Sequence, residues 1–193
     1  MPDSIKDGSS GYTAKVGSDN RLRVYAKSGS IQHAVSEADE DAYQVIGTAS
    51  LSSGTTTALH ITNNDPVKNM IITYLRHQIV GQSGGTAFPN IDNYFSVSLT
   101  RTYVSGGSFC TPVNVYSGSG NTANITAYCS APTLSGTALE IDRWYTKAEA
   151  DMNTFNKEGA LIIPPNSTIE ISYIGDQTSG TIYARASFIM EEN

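Results

Sequence analysis

Residues 181–190 read Thr181-Ile182-Tyr183-Ala184-Arg185-Ala186-Ser187-Phe188-Ile189-Met190. Taken two at a time, Ile182, Ala184, Ala186, Phe188 and Met190 fall on one side, and Tyr183, Arg185, Ser187 and Ile189 on the other. Successive side chains of an extended chain point to opposite faces, so this is the pattern of a strand with one face in a core. The alternation recurs upstream. Residues 168–174 bring Ile169, Ile171 and Tyr173 together, and residues 94–101 set Phe95, Val97 and Leu99 against Ser96, Ser98 and Thr100.

Further strands are expected over residues 43–50, 55–62, 67–80, 109–116, 122–128 and 139–145. Within 67–80, the run from Met70 to Val80 reads as a strand buried on both faces for part of its length. The separators Ser52-Ser53-Gly54, Asn63-Asn64-Asp65-Pro66 and Ser117-Gly118-Ser119-Gly120-Asn121 are turn chemistry, since Gly and Asn tolerate positive φ and Pro presets a turn. One helix is expected over residues 146–156, with Thr146 as N-cap before Lys147, Ala148, Glu149 and Ala150. Nine or ten strands at roughly 8–12-residue spacing, with no alternating β-α units, predict an all-β fold. The expected architecture is an antiparallel β-sandwich, jelly-roll-like, over residues 42–193, preceded by an extended N-terminal arm and loop over residues 1–41. Within that arm Arg21, Leu22, Arg23, Val24 and Tyr25 alternate as a short strand.

Composition sets limits on function. Of 193 residues, 39% are hydrophobic and only 16% charged, and Ser, Thr, Asn and Gly make up the difference. Eleven Tyr and five Phe give enough apolar area for a packed core. The formal net charge is −6 and no run of Lys or Arg occurs, which argues against nucleic acid, whose binding needs a basic footprint, and against an anionic membrane surface. No apolar h-region opens the chain and no stretch approaches the roughly 20 apolar residues of a membrane span, so a protein made in the cytosol is expected, one that leaves it only as part of a larger particle. Cys110 and Cys129 are read as two part-buried free thiols, with a bridge as the alternative if their flanks form a hairpin.

Candidate chemistry is sparse. His33, His60 and His77 are not at metal-ligand spacing with one another or with Cys, and each reads as structural or superficial. Gly84-Gly85-Thr86 and Gly106-Gly107-Ser108 are neither a nucleophile elbow nor a phosphate loop. The acidic residues Glu37, Asp39, Glu40 and Asp41 offer hard oxygens for calcium but lack the glycine and distal glutamate of an EF-hand, and read as a solvated loop. Glu140, Asp142 and Asp151 form a glycosidase pair only at a set separation, which sequence does not supply. Trp144 beside Tyr145 is the one candidate sugar platform, against the commoner role of a core or interface anchor. Asn124 and Asn166 head sequons that read as chance matches. No enzyme activity, metal or cofactor is expected.

The stretch Asp19-Asn20-Arg21-Leu22-Arg23-Val24, then Ala42-Tyr43, then Thr57-Ala58-Leu59-His60-Ile61-Thr62-Asn63-Asn64-Asp65, resembles small structural proteins of tailed bacteriophages. Ile162-Ile163-Pro164-Pro165-Asn166-Ser167-Thr168-Ile169 resembles the turn into a strand found in their sandwiches. The resemblance implies a virion structural protein on the capsid surface, most like a decoration (cement) protein. Its partner would be the major capsid protein, and it would be a homo-oligomer, a trimer or a dimer, gaining avidity on a symmetric lattice. Arg21, Leu22, Arg23, Val24 and Tyr25 are then the expected partner-binding residues, since an extended segment can add to a neighbour's sheet. A tail or head-fibre component and a carbohydrate-binding sandwich module are the competing expectations.

Overall fold

The computed structural model describes residues 4–6, 13–16, 22–23, 41–85, 92–145 and 153–192, and for 4–6, 13–16, 22–23 and 153–160 the backbone alone. The chain divides into two compact units, Met1–Ser30 and Ile31–Asn193. In the first, β1 (Ser4–Lys6), β2 (Thr13–Val16) and β3 (Leu22–Arg23) pair antiparallel in that order.

The second unit begins its described strands with β4 (Ala42–Ser50), β5 (Gly54–Asn63), β6 (Lys68–Ser83) and β7 (Tyr94–Leu99). Five short strands follow: β8 (Thr102–Ser105), β9 (Ser108–Phe109), β10 (Val113–Asn114), β11 (Ile125–Cys129) and β12 (Thr133–Ser135). β13 (Leu139–Tyr145), β14 (Asn153–Ile163), β15 (Thr168–Gly175) and β16 (Ser179–Glu192) complete it. One sheet runs β10-β4-β16-β6-β14 and the other β13-β7-β15-β5-β11-β9, while β12 and β8 form a separate two-stranded ribbon. With β8–β12 set aside, the other eight strands, counted along the chain, stand 1-8-3-6 in one sheet and 5-4-7-2 in the other. Every pairing is antiparallel, and that order is a jelly roll, as the strand spacing predicts.

Alternation places the core between the sheets. Ile182, Ala184, Ala186, Phe188 and Met190 of β16 are buried in one cluster with Ile169, Ile171 and Tyr173 of β15 and Phe95 and Val97 of β7. The His77 ring of β6 lies 3.9 Å from Phe95 and 4.7 Å from Trp144 of β13, centroid to centroid, so rings from both sheets interleave. Nearer the other edge the sheets approach so closely that a Cβ on Gly47 of β4 would stand 2.4 Å from the Ala58 carbonyl oxygen of β5. Glycine is required there by space rather than by backbone angle.

Local chemistry sets the turns. Between β5 and β6 the Asp65 carboxylate accepts the Val67 and Lys68 backbone N–H groups at 3.0 and 2.8 Å, which holds that carboxyl below its usual range. Buried Asn63 donates to the Lys68 and Ile163 carbonyls at 2.9 and 3.0 Å, joining this turn to the end of β14. In β6, two consecutive buried residues occur at Ile72 and Thr73, where the pairing slips by one residue against β16. The Thr73 hydroxyl donates to the Ser187 carbonyl at 3.0 Å across that bulge.

Three expectations are corrected. The helix expected over residues 146–156 is overturned where it is described: Asn153, Thr154, Phe155 and Asn156 belong to β14 and pair with His77, Arg76, Leu75 and Tyr74. The sixteen-residue β6 offers a long row of backbone groups on that side, and filling it outweighs a local preference of a few tenths of a kcal/mol per residue. Residues 109–116 are not one strand. Phe109 ends β9 in the six-stranded sheet and Val113 starts β10 in the five-stranded sheet, with Pro112, which has no N–H to give a ladder, at the crossing. The free-thiol reading also fails, because Cys110 and Cys129 are disulfide-bonded, Cα to Cα 6.2 Å. The Cys110 N–H donates to the Ala127 carbonyl at 2.9 Å, so Cys110 lies opposite Ala127 and two residues diagonal to Cys129, on one face of the pair.

Candidate functional site

The expected partner-binding segment is described only at its centre. Leu22 and Arg23 form β3, registered against Val16 and Lys15. β3 is the outer strand in the order β1-β2-β3, and among the described residues no strand covers its other edge. Arg21, Val24 and Tyr25 lie outside the described residues, as do His33, Glu37, Asp39 and Glu40. Asp41 is tied into the sandwich: it takes a 2.5 Å ion pair from Lys68 and accepts the Tyr43 hydroxyl at 3.0 Å. No group of three or more potential metal ligands converges among the described residues.

The densest polar chemistry lies where sequence reading did not look, on the outer face of the six-stranded sheet. Opposite the core residues of β15 stand Thr168, Glu170 and Ser172, all buried. Register places Ser98, Glu170 and His60 in one cross-strand row and Ser96, Ser172 and Thr57 in the next. The segment after β7 closes over them. Arg101 reaches the Glu170 carboxylate at 3.3 Å, and its carbonyl accepts the His60 Nε2–H at 3.0 Å and the Thr168 hydroxyl at 2.8 Å. The Tyr103 ring of β8 stacks on Tyr128 of β11 at 3.6 Å, nearly parallel, and Arg101 also reaches the Leu134 carbonyl of β12 at 3.5 Å. The β8–β12 ribbon is thereby fastened to this face by one guanidinium and one aromatic stack.

The electrostatics follow from burial. Burial pushes the Glu170 carboxyl above its usual range, against the pull of Arg101, and holds His60 below the usual imidazole value. The bond to the Arg101 carbonyl puts the His60 proton on Nε2. His60 Nδ1 and Glu170 Oε2 are buried without a hydrogen-bond partner. Farther along, the Ser96 hydroxyl donates to Glu140 at 2.8 Å and the Arg143 Nε donates to the same carboxylate at 2.9 Å. Arg143 in turn lies 4.1 Å over the Tyr94 ring. Glu140 is thus engaged on both oxygens, and Asp151 lies outside the described residues. Trp144 and Tyr145 point to opposite faces of β13, Trp144 onto His77 and Tyr145, 47% exposed, against Tyr94 at 6.0 Å, so they do not share a platform.

A raised carboxyl gives a signed expectation. Glu170's contribution to stability is full below the usual carboxyl range and lost as pH rises through its raised value. Glu170→Gln keeps the shape and an acceptor for Arg101 but never ionises. Its stability relative to the parent should improve as pH rises from 4 to 7. Urea midpoints of both proteins at the two pH values test this, and a difference independent of pH refutes it. In sequence the one signal was an acid at the centre of an otherwise buried strand; its partner Arg101 is 69 residues away. No family model matches the chain, and no curated protein matches it in sequence.

Proposed function

We propose that this protein is a virion structural protein of a tailed bacteriophage, a capsid decoration (cement) protein that binds the major capsid protein shell as a trimer or dimer. The observation that carries the reading is the division of the chain into a jelly roll and a separate small N-terminal unit whose outer strand, β3, holds Leu22 and Arg23. An open strand edge is suited to adding to a neighbour's sheet, where backbone hydrogen bonds give affinity and alternate side chains give selectivity. Jelly rolls serve viral capsid and lectin domains alike, so the fold alone does not choose between them. The resemblance of residues 19–24 and 57–65 to phage structural proteins favours the first.

The test is sedimentation of the purified chain with empty phage shells lacking it, alongside light scattering of its oligomeric state. The full chain is expected to be a dimer or trimer and to co-sediment at a fixed ratio to the shell subunit. Deletion of residues 1–30 is expected to leave the strand-rich circular dichroism spectrum intact and to weaken shell binding at least tenfold. A monomer that leaves the shells bare, or attachment of only a few copies per particle, refutes the decoration role.

A further inference from the structure

The outer face of the five-stranded sheet presents a different surface. Arg185 of β16 lies directly opposite Ile46 of β4 on one side and Arg76 of β6 on the other. The two arginines are therefore direct cross-strand neighbours, and like charges so placed repel. Neither has an acid within ion-pair reach among the described residues, although the whole chain carries a net charge of −6. The Tyr74 hydroxyl accepts from Arg76 Nε at 3.2 Å and from its terminal nitrogen at 2.7 Å, which fixes the plane of that guanidinium. The Arg185 Nε is buried without a partner. Around the pair stand exposed apolar side chains: Ile46 at 55%, Tyr183 at 44% and Val80 at 41%.

Arginine fixed in plane, with tyrosine and aliphatic neighbours, is the composition of a protein-docking surface. A guanidinium fork matches a carboxylate in two parallel hydrogen bonds. Two cations on a net acidic chain are a poor footprint for a run of phosphates, and the apolar rim suits a polypeptide. We infer that this face docks an acidic segment of a protein partner, with carboxylates on Arg76 and Arg185 and apolar residues on Tyr183, Ile46 and Val80. The inference rests on the reading of this protein as a binder of other proteins and names the chemistry of one partner surface.

The probe is a synthetic peptide of alternating glutamate and valine, with its glutamine counterpart as control, added to the full-length ¹⁵N-labelled chain. The glutamate peptide is expected to shift the Nε–H resonances of Arg76 and Arg185 and the backbone amides of Tyr183 and Gln78. The glutamine peptide is expected to leave them in place. The double variant Arg76→Gln/Arg185→Gln should weaken the peptide at least tenfold while melting no lower than the parent, since it relieves a repulsion. Equal binding of the glutamine peptide, equal shifts with inorganic phosphate, no shift at about 1 mM peptide, or self-association abolished by the double variant would each overturn the proposal. If the double variant loses shell binding yet the parent ignores the peptide, the acidic-segment chemistry is wrong and the shell reading stands. If peptide binding is seen and shell binding is not, the decoration reading alone falls.

Discussion

Lowering the pH from 7 to 4 is expected to cost the fold about 3 kcal/mol through one side chain, His77. Its ring is buried between Phe95 and Trp144, and neither ring nitrogen has a hydrogen-bond partner. A charged imidazole in that slot has no solvent and, among the described residues, no counter-ion, so burial holds its pKa down at about 3 against 6.5 unperturbed. The folded state thus refuses a proton that the unfolded chain accepts. The penalty is absent above pH 6.5, grows by about 1.4 kcal/mol per pH unit below it, and levels off near the folded value. His60, also held low by burial, adds in the same direction. His77→Leu removes the titration and strands no hydrogen-bond partner. It should equal or exceed the parent at pH 7 and show a pH slope flatter by about 3 kcal/mol between pH 7 and 4. Urea unfolding of both proteins across that range decides the matter, and parallel stability curves would show that His77 is not the acid-sensitive group.

The second large effect is expected from the Cys110–Cys129 bridge. The two residues are 19 apart in sequence, and a cross-link closing a loop of that length stabilises by about 3 kcal/mol through restriction of the unfolded chain. The double variant Cys110→Ala/Cys129→Ala should lose about that much, read as a lower urea midpoint, with a somewhat steeper transition because its unfolded chain is less compact. The damage should concentrate where the bridge acts. The amide of residue 110, which donates to Ala127, is expected to exchange by local opening, while those in the middle of β16 exchange only by global unfolding and lose no more than the global stability does. An unchanged midpoint would mean that packing of the β9–β11 edge already holds the loop without the bond.

What sequence reveals here is what period two reveals. Residues 94–101, 168–174 and 181–190 carry a clean alternation that names the face turned to the core, but it does not show that the polar faces of the first two, with Ser96, Ser98, Thr168, Glu170 and Ser172, are buried as well. Turns with glycine, asparagine and proline were equally legible, because their backbone demands are local. Three features were not. The helix over residues 146–156 is expected because Lys147, Ala148, Glu149 and Ala150 favour a helix in isolation, and only the length of β6 reveals that residues from Asn153 on are wanted as its strand partner. The disulfide depends on β9 and β11 being neighbours, which two-residue strands do not announce. The pairs Arg101–Glu170 and Arg76–Arg185 depend on strand register across the fold, and a sequence reading assigns faces to strands without assigning neighbours. The same limit kept attention on residues 21–25 and away from the two sheet faces.

β16 supplies more pairing than any other strand, and it lies between β4 and β6 in the middle of its sheet. Among the described strands it is also the one that leaves the ribosome last. During synthesis β4 and β6 therefore emerge with a vacancy between them, their inward residues Tyr43, Val45, Ile72 and Leu75 already made and nothing yet to bridge them. Pairings this distant in sequence form late and slowly. The nascent chain must meanwhile be kept from other unfinished chains, whose exposed strands would fill the same gap. A polypeptide halted at residue 178 would contain every described strand but β16 and still own two separated halves of a sheet.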